Sequence, residues 1–123
     1  MLLTRKACYA LIAVKLLAEN AEKDTSFSAK DLADLYGFPE ETLAKTLQHL
    51  AKAGLLQSRH GTEGGYRLAS NPRELTVLDV VRASGEAQAP CICDASALPK
   101  ADPVLMVHQL LETTLAQLTI ASV

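Results

Sequence analysis

The stretch that decides the fold runs from Ser28 to Leu68 and reads SAKDLADLYGFPEETLAKTLQHLAKAGLLQSRHGTEGGYRL. Ser28, with Asp31 three positions later, has the spacing of a helix N-cap and predicts a short helix, which Gly37-Phe38-Pro39 breaks. A further helix is predicted from Glu40 to Ala53, with Gly54 as its stop. Two helices joined by a tight glycine-containing turn are typical of a helix-turn-helix.

A glycine-rich hairpin is predicted after these helices. Leu55 to Arg59 and Tyr66 to Leu68 have the composition of short strands, and the tip between them is His60-Gly61-Thr62-Glu63-Gly64-Gly65. A phosphate-binding loop is a poor alternative, because the GxxxxGK[ST] pattern is missing and no helix begins after the glycines. Helix-turn-helix plus a two-stranded ribbon predicts a winged helix, mainly α with a small β wing.

Two further helices are predicted on either side of this core. Thr4 can cap a first helix whose apolar residues recur on one stripe, namely Ala7, Leu11, Val14 and Ala18. Thr76 and Asp79 form a capping box ahead of a fourth helix, which Ser84-Gly85 ends.

The C-terminal segment has a coiled-coil spacing. Four of six positions separated alternately by four and three residues are apolar: Val104, Leu111, Leu115 and Leu118. We expect a helix from Val104 to about Ala121 that pairs with a second copy as a two-fold dimer, the alternative being that it folds back on its own domain. The predicted organisation is a winged helix-turn-helix DNA-binding domain (1–84), a cysteine-containing sensor loop (85–103) and a dimerisation helix (104–123).

Composition bounds the class of protein. The 123 residues are 49% hydrophobic and 21% charged, which suits one globular domain and excludes a disordered tail. Three cysteines are too few for a disulfide scaffold, and no apolar run reaches the roughly 18–20 residues of a membrane span. Arg5 and Lys6 precede an apolar stretch like a signal peptide, but Lys15 cuts that stretch short, so we expect a cytoplasmic protein without membrane contact.

The charges are unevenly distributed along the chain. Residues 45–73 hold five cationic residues against Glu63 alone, a net charge of +4, whereas residues 1–44 carry −2 and residues 74–123 carry −4. A basic middle indicates an anionic partner on one surface, such as the phosphates of double-stranded DNA. With Leu43, Leu47 and Leu50 facing inward, the candidate DNA contacts are Thr42, Lys45, Gln48, His49 and Lys52 on the third helix, and Arg59, His60 and Arg67 on the wing.

Four segments together resemble a known family: residues 3–11, 50–58, 61–68 and 75–81. They are similar to the Rrf-type (Rrf-two) winged-helix transcription regulators of bacteria, which include an iron–sulfur cluster regulator, a nitric-oxide-sensing repressor and a repressor of cysteine metabolism. The resemblance implies a homodimer, joined by the long C-terminal helix, that binds a palindromic operator. It also implies that a loop before that helix holds an iron–sulfur cluster through three cysteines in many members.

The cysteines of this chain depart from that pattern. The loop has only Cys91 and Cys93, and Cys8 occupies the first-helix position with which some relatives complete the cluster of the opposite subunit. Three soft sulfur ligands suit an iron–sulfur cluster or zinc, with His108, Asp94 or a small molecule as the fourth ligand. The alternatives are that Cys8 is a small buried apolar residue and that the pair is a reactive thiol couple without metal.

These observations predict a homodimeric DNA-binding repressor whose activity is gated by an iron–sulfur cluster or by redox-active thiols. Such gating would move the cysteine loop against the partner's first helix and change the separation of the two recognition helices. The alternative is a cluster-free winged helix that acts as a thiol switch or binds other proteins. An enzyme is not expected, because no nucleophile lies in a Ser/His/Asp or Cys/His pattern.

Overall fold

The computed structural model describes residues 3–23, 25–59, 64–86 and 102–123. The strands Leu56–Arg59 and Gly65–Leu68 pair antiparallel. Short 3-10 turns at Ala21–Lys23 and Ile120–Ser122, and a turn at Arg82–Glu86 in which Gly85 has a positive φ, complete the regular structure of this part. The elements are α1 (Arg5–Glu19), α2 (Ala29–Tyr36), α3 (Glu40–Lys52), β1 (Leu56–Arg59), β2 (Gly65–Leu68), α4 (Val77–Val81) and α5 (Asp102–Gln117). The predicted fold class, mainly α with a small β wing, is confirmed. In these ranges no helix has both the length and the apolar character of a bilayer span.

Side-chain caps start three of the helices where the sequence places them. The Asp31 amide donates to Ser28 Oγ at 3.0 Å, and the Ser28 amide donates to Asp31 Oδ2 at 3.0 Å, so both partners satisfy an orphan backbone donor. The Ser28 amide also holds the pKa of Asp31 below its ordinary value, because the bond favours the carboxylate. Thr76 and Asp79 cap α4 in the same reciprocal way, whereas Thr4 caps α1 by accepting one hydrogen bond from the Ala7 amide.

The core forms where α1 packs against α3 and α4. Ala7 and Val14 of the predicted α1 stripe are buried, but Leu11 and Ala18 are only half-buried. The remaining buried residues of α1 are Ala10, Ala13 and Leu17. Leu11 and Ala18 still pack against the core at its edge, so the buried face of α1 includes the predicted stripe and extends beyond it.

A third extended segment fixes the base of the wing. Phe27 exchanges two backbone hydrogen bonds with Tyr66 of β2, at 3.0 and 2.7 Å. Beside this pair Gly65 has a φ of 150°, and a Cβ at that position would lie 2.5 Å from the carbonyl carbon of Phe27. Gly65 therefore permits both the backbone conformation and the close approach of two chains. The wing is joined to the residues that start α2.

The C-terminal tail turns back onto its own domain. Helix α5 ends at Gln117, so the predicted extension to about Ala121 is wrong, and Leu118 lies outside the helix. The Leu118 carbonyl accepts from the Val77 amide and the Ile120 amide donates to the Leu75 carbonyl, both at 2.8 Å. Ile120 is completely buried, which explains why the helix stops: the tail gains more by filling the core than by extending α5.

Replacing Gly65 with alanine tests the contact between the wing and Phe27. Gly65→Ala should lower the free energy of unfolding in urea by about 1–3 kcal/mol, because the methyl group meets the Phe27 backbone and the positive φ disfavours alanine. Gly37→Ala is the matched control, since Gly37 also has a positive φ but has open space around the added Cβ. Equal losses for both variants would contradict a tight contact at Gly65.

Truncating Ile120 tests whether the tail is part of the core. Ile120→Ala should lower the free energy of unfolding by about 2–5 kcal/mol, since a fully buried side chain leaves a cavity. Val123→Ala, at a position 53% exposed, should change it by no more than about 0.5 kcal/mol. A small and equal effect of both substitutions would show that the tail is undocked in solution.

Candidate nucleic-acid interface

Helix α3 is held in place along one face. Leu43, Leu47 and Leu50 are completely buried, which confirms the predicted inward stripe, and the hydroxyl of the buried Thr46 donates to the Thr42 carbonyl at 2.9 Å. Just before the helix, Phe38 packs against Tyr9 of α1 with ring centroids 4.4 Å apart and ring planes tilted by 30°. These contacts fix both the position of α3 and the turn that precedes it.

The opposite face of α3 carries four exposed polar side chains, which we name the outer stripe: Glu41, Lys45, Gln48 and Lys52. Their spacing places them within an arc of about 60° on an α-helix. Lys45 Nζ lies 4.0 Å from Glu41 Oε1, with the two side chains 67% and 89% exposed. An ion pair so exposed contributes little to stability, so Lys45 can exchange Glu41 for another acceptor at low cost.

Two predicted contacts of α3 lie beside the outer stripe. Thr42 is half-buried. His49 is exposed, and its imidazole lies against Gly85 in the turn that follows α4. The structure therefore brings Lys45, Gln48 and Lys52 together on one surface and separates Thr42 and His49 from it.

The wing presents its arginines on one side. Gln57 pairs with Arg67 and Arg59 pairs with Gly65, so Arg59 and Arg67 lie on the same face of the ribbon. The other face carries Leu56, which is 3% exposed and belongs to the core. The arginine face is consequently the one turned away from the core. The remaining wing candidate, His60, lies outside the described residues.

The cysteines are only partly described. Cys8 is a free, half-buried thiol in the first turns of α1, where its amide donates to the Thr4 carbonyl at 3.0 Å. Cys91 and Cys93 lie outside the described residues, so their proximity to Cys8 stays a prediction. Among the residues that the structure does describe, no group of three His, Cys, Asp or Glu side chains could hold a metal ion.

Apolar surface that the sequence analysis did not identify occurs in two places. Met106, Val107 and Leu110 of α5 are 63%, 52% and 63% exposed, and they form a face beside the predicted seam residues Leu111 and Leu115, which are half-buried. A groove of about 500 Å³ also lies between α1 and the C-terminal residues, lined by side chains that include Ile12, Tyr36, Leu115 and Leu118. Because Leu118 leaves the helix with the tail, the predicted seam is not one continuous face of α5, and the spacing alone could not reveal this.

Solved structures similar to this chain are transcription regulators of the same architecture. IscR of T. potens superposes with a TM-score of 0.78 and 28% identity, over 98% of this chain and 83% of that protein. CymR of B. subtilis, named as its global cysteine regulator, superposes with a TM-score of 0.80 and 25% identity, over 98% of this chain and 93% of the other.

A curated relative has higher identity over a shorter stretch. BadM of Rhodopseudomonas palustris, named as an HTH-type transcriptional regulator, is 41% identical over 81 residues, which is 66% of this chain and 51% of BadM. The chain spans about half the length of the curated relatives it matches.

A family model matches nearly the whole chain. Residues 3–123 match the sequence model of the Rrf2 family, which is described as an iron-dependent transcriptional regulator. Together with the winged helix and the exposed polar face of α3, this match establishes that the chain belongs to the Rrf2 family of transcriptional regulators.

Proposed function

We propose that this regulator is a repressor that binds a palindromic operator as a homodimer, and that an iron–sulfur cluster or its own thiols control that binding. The observation that supports DNA binding most directly is the outer stripe of α3. Its four polar side chains are exposed together on a helix whose other face is locked into the core, as a recognition helix in the major groove requires.

The side chains on and around α3 divide into two kinds of proposed contact. Lys45 and Gln48 have donors that suit base edges, the lysine for guanine O6 and N7 and the glutamine amide for adenine. Lys52, Arg59 and Arg67 bind phosphates, which fix the register of the protein without reading sequence. Thr42 and His60 are the remaining proposed contacts.

Glu41 gives the outer stripe its selectivity. Its carboxylate repels phosphate and accepts only from donors such as the cytosine amino group. In free protein it lies 4.0 Å from Lys45 and so partly neutralises that cation. Binding to an unsuitable sequence would separate Glu41 from Lys45 and leave the Glu41 carboxylate without a donor. This cost favours sites that offer a donor to Glu41 and an acceptor to Lys45.

Homodimerisation is supported by the exposed apolar residues of α5. Met106, Val107 and Leu110 are each more than half exposed, and a second copy of α5 is the simplest cover for such a face. We therefore keep the proposed division into a DNA-binding domain (1–84), a sensor loop (85–103) and a dimerisation segment (104–123). Within the last segment, α5 carries the dimer contact and the tail anchors that helix to its own domain.

The thiols are the proposed sensing element. Cys8, Cys91 and Cys93 would hold an iron–sulfur cluster, which supplies redox chemistry when it is bound. Cys8 suits this role because it is a free thiol that is only half-buried. The description of the family as iron-dependent supports a cluster.

A thiol switch without metal is the second candidate. The chain has three cysteines, whereas a cluster commonly takes four cysteine ligands, and the structurally similar CymR is named as a cysteine regulator. In that case the cysteines respond to oxidants directly, and the loop pair is the reactive couple.

Selection of duplexes from a random library, followed by a salt series, tests DNA binding. Lys52→Ala should reduce the slope of log affinity against log salt by about one unit, because one phosphate contact is lost. Lys45→Ala should instead relax the preference at one base position by about 1–3 kcal/mol. Lys23→Ala, at an exposed site in the turn after α1, is the control and should change neither quantity. An unchanged salt slope for Lys52→Ala would contradict the proposed interface.

Purification without oxygen, with iron and sulfide assays, tests the sensor. Single Cys8→Ser, Cys91→Ser and Cys93→Ser variants should each lower iron and sulfide content, since each removes one soft ligand. Metal-free protein whose duplex affinity still depends on the cysteines and on oxidants would favour the thiol switch. Colourless protein, with full duplex binding by the triple Cys→Ser variant, would remove both sensors from the proposal.

A further inference from the structure

We infer that His49 positions the recognition helix instead of contacting DNA. Its imidazole packs on Gly85, and this contact joins α3 to the turn after α4 and thereby sets the orientation in which the outer stripe meets a duplex. The inference rests on the proposed DNA-binding function and adds a positioning residue to it. The contact between His49 and Gly85 is named the α3–α4 joint below.

The joint depends on the absence of a side chain at residue 85. Gly85 has φ 94° and ψ −1°, a left-handed conformation that other residues rarely adopt. A Cβ built on it would overlap His49 Nδ1 and lie 2.7 Å from Cε1. The imidazole therefore fills the space that any other residue at position 85 would need.

The turn that carries Gly85 is fixed on its other side. Ser84 is completely buried, and its hydroxyl donates to the Val81 carbonyl at 2.7 Å, while Val80 anchors α4 in the core. Arg82, at the start of the same turn, lies 3.5 Å from Glu112 of α5. The backbone that His49 touches thus belongs to a turn that is held by both α4 and α5.

The position of His49 on α3 determines how the joint affects the orientation of that helix. The leucine face holds α3 against the core from one side of the helix, and His49 adds a contact on a second side. His49 lies beside the outer stripe, next to Gln48, and contacts a fixed backbone sideways. A binding constellation must be held to within about 10–20° to keep its hydrogen bonds, so a lateral contact that limits rotation matters for base recognition.

A double-mutant cycle tests the joint, with the duplex selected by wild-type protein as the probe. Gly85→Ala should lower duplex affinity roughly three- to thirtyfold while leaving the salt slope unchanged, because no phosphate contact is lost. In the His49→Ala background the same Gly85→Ala change should have a much smaller effect, since the clash is gone. Gly54→Ala is the control: Gly54 has a similar φ of 85° but open space around the added Cβ.

The outcomes separate the joint from direct DNA contact. Independent effects of the two substitutions, or a Gly85→Ala loss no larger than that of Gly54→Ala, would overturn the inference. A reduced salt slope for His49→Ala alone would also overturn it and return His49 to the phosphate contacts.

Urea unfolding of wild type, the two single variants and the double variant, measured without DNA, distinguishes failure of this inference from failure of the proposed function. The joint predicts that Gly85→Ala shifts the unfolding midpoint less in the His49→Ala background than in wild type. If wild-type protein selects no duplex, the proposed function fails, and the positioning role of His49 fails with it. Coupling between the two substitutions in the urea measurements would then show only that His49 and Gly85 are in contact. If wild type selects a duplex and the affinity cycle is additive, only the inference fails.

Discussion

Burial of the leucine face of α3 is the constraint on which the rest of the molecule depends. Leu43, Leu47 and Leu50 are each inaccessible to solvent and belong to one core cluster with the buried residues of α1, so the position of α3 on the domain is set by this face. Once that face is buried, the polar residues that alternate with it must point outward. The chemistry of the exposed surface is therefore a direct result of how the core is built.

Local signals made the winged helix predictable from the sequence. The capping pair of Ser28 and Asp31 and that of Thr76 and Asp79 act over three residues, so they form in the structure as the sequence indicates. The antiparallel wing follows from short strands on either side of a glycine-rich tip. In these segments the decisive interactions lie between residues close together in the chain.

Features set by distant residues were not predictable in the same way. Ile120 is held by hydrogen bonds of its backbone with Leu75 and Lys15, which lie 45 and 105 positions away, so heptad spacing at the C terminus overestimated the length of α5. His49 faces outward on a helical wheel, but the wheel contains no information about Gly85. Of the candidate site, spacing identified the outer stripe, whereas the neighbours of its flanking residues required the tertiary structure.

The pairing of Phe27 with Tyr66 has a consequence for how this architecture can vary. The segment between α1 and α2 is bridged to β2 through this one residue pair, so a change in its length would act on the position of the wing. An insertion ahead of Phe27 can be absorbed as a bulge on the surface, whereas an insertion between Phe27 and α2 would shift the ribbon relative to the recognition helix. The length of this short loop is therefore a means of changing where the wing sits relative to α3.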